Sequence, residues 1–331
     1  MSRGMGRARE MEKTKVSFVS RVAGKQWFFL LIIIVVLSIA AGIINYRFWS
    51  PRNLLNILEQ ISVLGLVAAG ATILLIAGNF DISVGKIIGL AACLMAIMIK
   101  SGMNEALAAI LGICACVLCS LMNGFLSTRL GAPSFIISLA TLGVFHGTAL
   151  AVTEGVIQTI YEQFGAISNT RLFDVLPLMF LISLLGYGFV QVLLTNTKLG
   201  RRVYAIGANK RGAFLSGIPV RRNTLVFFAL NGLLIGAAAI VLLSRLGAAL
   251  PTTGDGLELK AIGAVVIGGV PVTGGTGNIL GTFLGVLLIG VISNMLNLSR
   301  VNPYFQEIAY GALVIVSIAV SYLRISGKKE Y

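Results

Sequence analysis

Between Trp27 and Tyr46 the chain runs for 20 residues without a single charge, "WFFLLIIIVVLSIAAGIINY", and further long apolar runs recur to its end. Wound as a helix, such a run is about 30 Å long, the thickness of a bilayer's hydrocarbon core. That medium offers no hydrogen-bond partner, so a spanning segment closes its own backbone bonds as a helix or joins a sealed barrel. Barrel strands alternate apolar and polar positions, and this run does not. Composition agrees. Of all residues 57% are hydrophobic and 11% charged, less than half the roughly 25% of charge found in soluble domains. The expected fold class is an all-α integral membrane protein.

Ten spans are predicted, at 27–46, 57–78, 82–99, 105–128, 134–152, 172–195, 223–246, 257–273, 276–298 and 304–323. The first is longer than the apolar region of a cleaved leader and is expected to stay. The chain then divides into a basic N-terminal tail (1–26), one transmembrane domain (27–323) with a cytoplasmic segment at 197–222, and a C-terminal tail (324–331). Lys and Arg accumulate on the cytoplasmic side of membrane proteins. With ten crossings and the N-terminus inside, 19 of the 26 basic residues fall inside. They comprise the N-terminal group from Arg3 to Lys25, the group from Lys198 to Arg222, Lys86, Arg129, and Arg324, Lys328 and Lys329. An odd number of crossings would put one basic terminus on the wrong side.

The net charge of +14 would point to nucleic acid in a soluble chain, but no base-reading motif accompanies it, and no nucleic-acid partner is expected. No phosphate-binding G-x-x-x-x-G-K-[ST] loop is present, "AGKQ" and "SGKK" lacking both spacing and hydroxyl. Any fuel site is therefore expected on another chain. The single histidine, His146, rules out an H-E-x-x-H zinc motif. Cys116 and Cys119 form a C-x-x-C, but with Cys93 and Cys114 they lie in apolar runs and suit helix packing better than a metal. No metal site is expected. The acidic residues mostly map to span ends or loops, so nothing resembles the buried charge relay of a proton-coupled carrier.

The 39 glycines carry more information. Gly277, Gly281 and Gly285 are spaced by four and would form one stripe for close helix packing; a surface that slides during gating is the alternative. "AGNFDISVG" (77–85) and "GGVPVTGGTG" (268–277) each interrupt an apolar run. They read either as tight turns or as the broken segments that related halves of transporters carry near a substrate route. The stretch "GRRVYAIGANKRGAFLSGIPVRR" (200–222) holds six basic residues and no acidic one. Asn209 is a helix N-cap, and Gly217 with Pro219 a stop, predicting a short helix over 210–216. Lys210 and Arg211 in its first turn oppose the helix dipole, so helix stability does not account for them. Orientation by anionic lipid or a docked partner does.

"YAIGANKRGAFLSGI", "LELKAIGAVVIGGVPVTGGTGNILGTFLG" and "NMLNL…NPYFQEIAYGALVI" together resemble the permease subunits of bacterial ABC importers for ribose and related monosaccharides. "GNFDISVG" and "LMNGFLSTRLGAPSFIISLATL" are similar to further signatures of that family, including its permeases for the furanosyl autoinducer. The resemblance spans about 50–323. It implies a type II importer-like permease in the bacterial inner membrane, working as half of a translocation pathway. It also implies a second permease subunit, alike or different, a cytoplasmic ATPase carrying ATP and Mg, a periplasmic sugar-binding protein, and no cofactor on this chain. By the same resemblance Asn209, Gly212, Ala213, Phe214, Leu215, Ser216 and Gly217 form a coupling helix that docks on the ATPase. Candidate pathway residues are Asn79, Asp81, Ser83, Asn123, Ser138, Thr141, Phe145, His146 and Glu258, each with packing or capping as its alternative. His146 stands where relatives often carry Arg, and Ser138 and Ala140 replace commoner residues, which leaves the cargo open. The rivals are an ion-coupled secondary transporter and an intramembrane enzyme.

Overall fold

The computed structural model describes residues 26–161, 163–173 and 175–326. The predicted basic tail up to Lys25, and residues 327–331 of the predicted C-terminal tail, lie outside the described residues. Ten helices match the predicted spans: α1 (Gln26–Ile44), α2 (Pro51–Ile76), α3 (Val84–Lys100), α4 (Glu105–Leu130), α5 (Ser134–Thr153), α7 (Leu178–Asn196), α10 (Val220–Leu246), α11 (Leu257–Ile267), α12 (Ile279–Leu298) and α13 (Pro303–Ser326). Between them lie the short α6 (Gly165–Asn169) and the pair α8 (Lys198–Ala208) and α9 (Lys210–Leu215). Six of these, α2, α4, α5, α7, α10 and α12, are long and apolar enough to cross a bilayer unaided.

The hydrogen bonds sort the loops to two ends of the bundle. At one end Asn45 Nδ2 donates to the Leu298 carbonyl, Lys100 to Gln158, and the Phe164 amide to Glu105. A two-residue ladder joins β1 (Gln158–Thr159) to β4 (Ala248–Ala249) there. At the other end Ser134 Oγ accepts from the Phe80 amide, and Tyr204 Oη donates to the Gly277 carbonyl. Among the described residues the ten helices thus follow one another between the two ends in the predicted order.

Local chemistry sets the boundaries. Ser50 accepts from the Asn53 amide and Pro51 occupies the first helical position, so α2 begins six residues before the predicted span. The predicted 172–195 span starts late, because 171–172 and 176–177 form a small antiparallel hairpin, β2 and β3 (Arg171–Leu172 and Leu176–Pro177), ahead of α7. The span predicted at 257–273 is helical only to Ile267, where the run of glycines and Pro271 ends it.

The core sits around α2 and α10, which pack on each other and are covered by the other helices. Gly232 and Gly236 of α10 lie against the backbone of α4 at Val117 and Ile113; a Cβ at either would stand 2.6 and 2.8 Å from those Cα atoms. Four-residue spacing of a missing side chain lets antiparallel backbones meet. Amides and hydroxyls add to the packing: Asn53 and Asn294 exchange two amide bonds of 2.8 and 2.9 Å, and Thr72 meets Thr282 at 2.8 Å.

Two sets of four helices repeat the same contacts while running in opposite directions. The α3 helix packs on α10, α4 and α5, as α11 packs on α2, α12 and α13; α2 packs on α12 as α10 packs on α4. In each set the second helix is short, 17 residues in α3 and 11 in α11, and irregular chain completes the crossing.

Candidate functional site

Both short helices begin inside the bundle. The segment 77–83 leaves the helical ladder after Ala77, and two of its freed amides are met by α5. Ser134 Oγ accepts from the Phe80 amide at 2.8 Å, and Ser138 Oγ from the Ile82 amide at 3.0 Å. The match is geometric: hydroxyls four residues apart on a helix are about 6 Å apart, close to the rise of two residues in extended chain.

The next side chain in that segment is Asp81. Its Oδ1 accepts from the Ser83 amide (3.0 Å), the Ser83 hydroxyl (2.6 Å) and Asn123 Nδ2 (3.1 Å), and its Oδ2 accepts from Asn231 Nδ2 (3.3 Å). Thr141 Oγ1 donates to Asn123 Oδ1 at 2.6 Å, and Ser120 shares the Asn231 amide and donates to the Phe228 carbonyl. A buried carboxylate without a cation needs such a set of donors, and the N-terminus of α3 adds a favourable dipole. Four elements, α3 with its approach, α4, α5 and α10, are thereby tied to one group. Spacing explains the convergence: Ser120 and Asn123 are three apart on α4, and Ser134, Ser138, Thr141 and Phe145 follow one face of α5.

The second interruption, 250–256, descends alongside α3. Gly89 faces the backbone of Pro251, and Gly85 that of Gly254. Where this segment meets the first turn of α3, Lys86 Nζ bridges both carboxylate oxygens of Asp255 at 2.6 and 2.8 Å. Glu258, in the first turn of α11, keeps Oε1 on the Gly256 amide, while its buried Oε2 has no partner.

The break predicted at 268–277 lies at the far end. There the Gly275 amide donates to the Ile76 carbonyl at 2.8 Å, and Gly274 meets Gly78, so both predicted interruptions touch. By helix order, however, the counterpart of 77–83 is 247–256. Gly281 and Gly285 of the predicted stripe face the backbone of Gly268 and Ala264. Gly277 precedes α12 in positive-φ backbone and is not on its face.

The same corner carries α8 and α9. Gly207 lies against the Ile76 carbonyl and the Gly275 amide, and Ala208 against Gly275. Burial pushes the Tyr204 phenol above its ordinary range while its hydroxyl holds Gly277. Asn209 Oδ1 caps α9 by accepting from the Gly212 amide at 2.8 Å, and Gly217 takes a φ of +80° just past its end. The short helix predicted over 210–216 thus runs from Lys210 to Leu215. Ala213 is buried, whereas Lys210, Arg211, Phe214, Leu215, Ser216 and Gly217 are exposed.

Of the predicted pathway residues, Asp81, Ser83, Asn123 and Thr141 are joined in one buried network, and Ser138 holds its approach segment. Phe145 is buried on the same face of α5. Asn79 caps locally, donating to the Ala77 carbonyl at 3.1 Å. His146 is half-buried with an unpartnered Nδ1 and joins neither group. Glu258 belongs to the second cluster. Sequence reasoning passed over Ser120, Ser134, Asn231, Lys86 and Asp255. A lone Asn within "FFALNGLLIG" was the available signal for Asn231; Lys86 and Asp255, 169 residues apart, had none. Among the described residues no group of three or more potential metal ligands occurs.

Residues 53–318 match the profile of a family described as the branched-chain amino acid transport system / permease component. The chain is 40% identical over 285 residues to the ribose import permease protein of Bacillus subtilis, covering 86% of this chain and 88% of that protein. It is 31% identical to the ribose import permease of Haemophilus influenzae over 87% of this chain and 90% of that one. The autoinducer 2 import system permease of Yersinia pseudotuberculosis is 33% identical, over 88% of this chain and 82% of that protein. No solved structure matches.

Proposed function

The chain belongs to the permease family described for branched-chain amino acid transport systems, a multi-pass inner-membrane transport subunit, and from that membership we propose that it forms half the pathway of an ATP-driven sugar importer. The cargo is a ribose-like monosaccharide or a furanosyl autoinducer, as the names of its relatives indicate for those proteins. A second permease subunit completes the pathway, an ABC ATPase carrying ATP and Mg docks on the cytoplasmic face, and a periplasmic binding protein delivers the cargo. The chain itself carries no catalytic step and no cofactor. Both termini lie in the cytoplasm, because the end that bears α8 and α9 holds Lys198, Arg201, Arg202, Lys210, Arg211, Arg221 and Arg222.

The observation that carries the reading is the placement of α9. Its exposed Phe214 and Leu215, with the exposed Lys210 and Arg211 one turn before them, offer a partner an apolar anchor beside basic groups. Through Gly207 and Ala208, α8 rests on the backbone at Ile76 and Gly275, the feet of two interrupted segments. A push on α9 is delivered there, where few helical hydrogen bonds resist it. Cargo release then requires no chemistry in this chain, only a change in how α2, α3, α11 and α12 sit together.

Gly217→Arg tests the coupling. The position is exposed and open, so the protein inserts normally, and a non-glycine residue there costs about 1 kcal/mol of local strain. ATPase co-purification with the variant should be lost. Assembly at the wild-type level would refute the assignment of α9. In proteoliposomes holding the complete importer, uptake should follow ATP; uptake driven by an ion gradient without the ATPase would favour the secondary-transporter rival.

A further inference from the structure

Lys86 is the third residue of α3 and lies 14 residues from Lys100 at one end, about 21 Å along the helix. Glu258 lies nine residues from Ile267, where α11 ends towards the opposite face, about 14 Å. The Lys86–Asp255 pair therefore sits well inside a hydrocarbon layer of about 30 Å. Yet its side chains are 15% and 43% exposed. At comparable depth the exposed side chains of α1, α4 and α7 are apolar, Val36, Leu118 and Leu185 among them. Those faces suit lipid. The charged one does not, since an ionised group facing hydrocarbon costs several kcal/mol. Reaching back to the headgroups is no escape. The carboxylate of Asp255 is on too short a side chain, and it holds the lysine ammonium in place at 2.6 Å.

We infer that Lys86, Asp255 and Glu258 line a water-filled passage and form the contact point for a neutral polyhydroxylated solute crossing it. The inference rests on the importer reading for the identity of the solute, but not for the passage. The chemistry fits a vicinal diol. A hydroxyl donates and accepts, and the exposed pair offers ammonium donors beside carboxylate acceptors; the unpartnered Glu258 Oε2 lies buried behind it against Gly85, and a shift of α11 against α3 would bring it into reach. Lys86 comes from α3, and Asp255 and Glu258 from α11 and the segment leading into it, so any shift of α3 against α11 opens or closes the site. That links cargo contact to the movement delivered through α8.

The test uses the assembled importer in which Cys93, Cys114, Cys116 and Cys119 are replaced by Ala, with single cysteines at Lys86→Cys, Asp255→Cys and, on a lipid-facing surface, Val36→Cys. A charged, membrane-impermeant methanethiosulfonate should modify the first two and spare the third. D-ribose at saturation should slow that modification at least tenfold. Failure of the charged reagent at both positions overturns the passage. Modification that ribose never slows, in a complex that takes up ribose normally, overturns the contact role. A wild-type complex that takes up no ribose refutes the sugar reading instead, and the reagent still decides the passage. Because a lone substitution leaves a charge unpaired, the exchange Lys86→Asp with Asp255→Lys serves as a second variant. It should assemble normally and raise the KM for ribose about tenfold, the scale of one charge-assisted hydrogen bond; an unchanged KM counts against the contact.

Discussion

Asp81 carries a full set of hydrogen bonds and no cation, so its neighbours hold its energy. Replacing Asn123 by Leu removes one donor to the carboxylate and the acceptor of Thr141. Leaving buried partners unmet costs about 1–3 kcal/mol, and the variant should lose monodispersity in detergent at a clearly lower temperature. His146→Leu, whose ring nitrogen has no partner to lose, should melt near the wild type. Equal melting of both variants would show the network to be dispensable. At this scale the sequence showed Asp81, Ser83, Asn123, Ser138 and Thr141 as polar residues within apolar runs. It could not show that they meet across helices, because those contacts join residues 18 to 150 positions apart.

The elements divide by what their glycines touch. On α12, a side chain at Gly281 would collide with the backbone of Gly268, whereas Gly143 on α5 has nothing within 4 Å. Gly281→Val should destabilise the isolated chain by about 1–3 kcal/mol through overpacking, and Gly143→Val should leave its melting unchanged. A tolerated Gly281→Val would mean that α11 and α12 separate freely. Helices with long apolar runs, such as α4 and α10, were legible within a few residues. The short α11 was not. "PTTGDGLELK" looks like a loop followed by a full span, and only its packing on α3 reveals that this run of turns itself occupies part of the crossing.

For the whole molecule the decisive quantity is which end faces the cytoplasm. A cysteine at Ser216, placed in the chain freed of its own four, should react with an impermeant maleimide in inside-out vesicles and not in intact spheroplasts. Labelling from the spheroplast exterior would invert the orientation and remove the ATPase-docking role of α9. The number of traverses and the basic corner followed from hydropathy and charge, which act locally and are written residue by residue. Family membership was equally visible, in contiguous motifs.

Transfer of a segment into lipid depends on that segment's own composition, so the sequence alone determined that this chain is a bundle of ten traversing helices with a basic projection at one end. Which polar groups converge depends instead on how far helices sink, where they break and what lies opposite. Lys86 and Asp255 became a pair, Gly207 a support beneath two interruptions, and Asp81 a tie among four elements only through tertiary contact. Close packing reads shape across distances along the chain that no local pattern encodes.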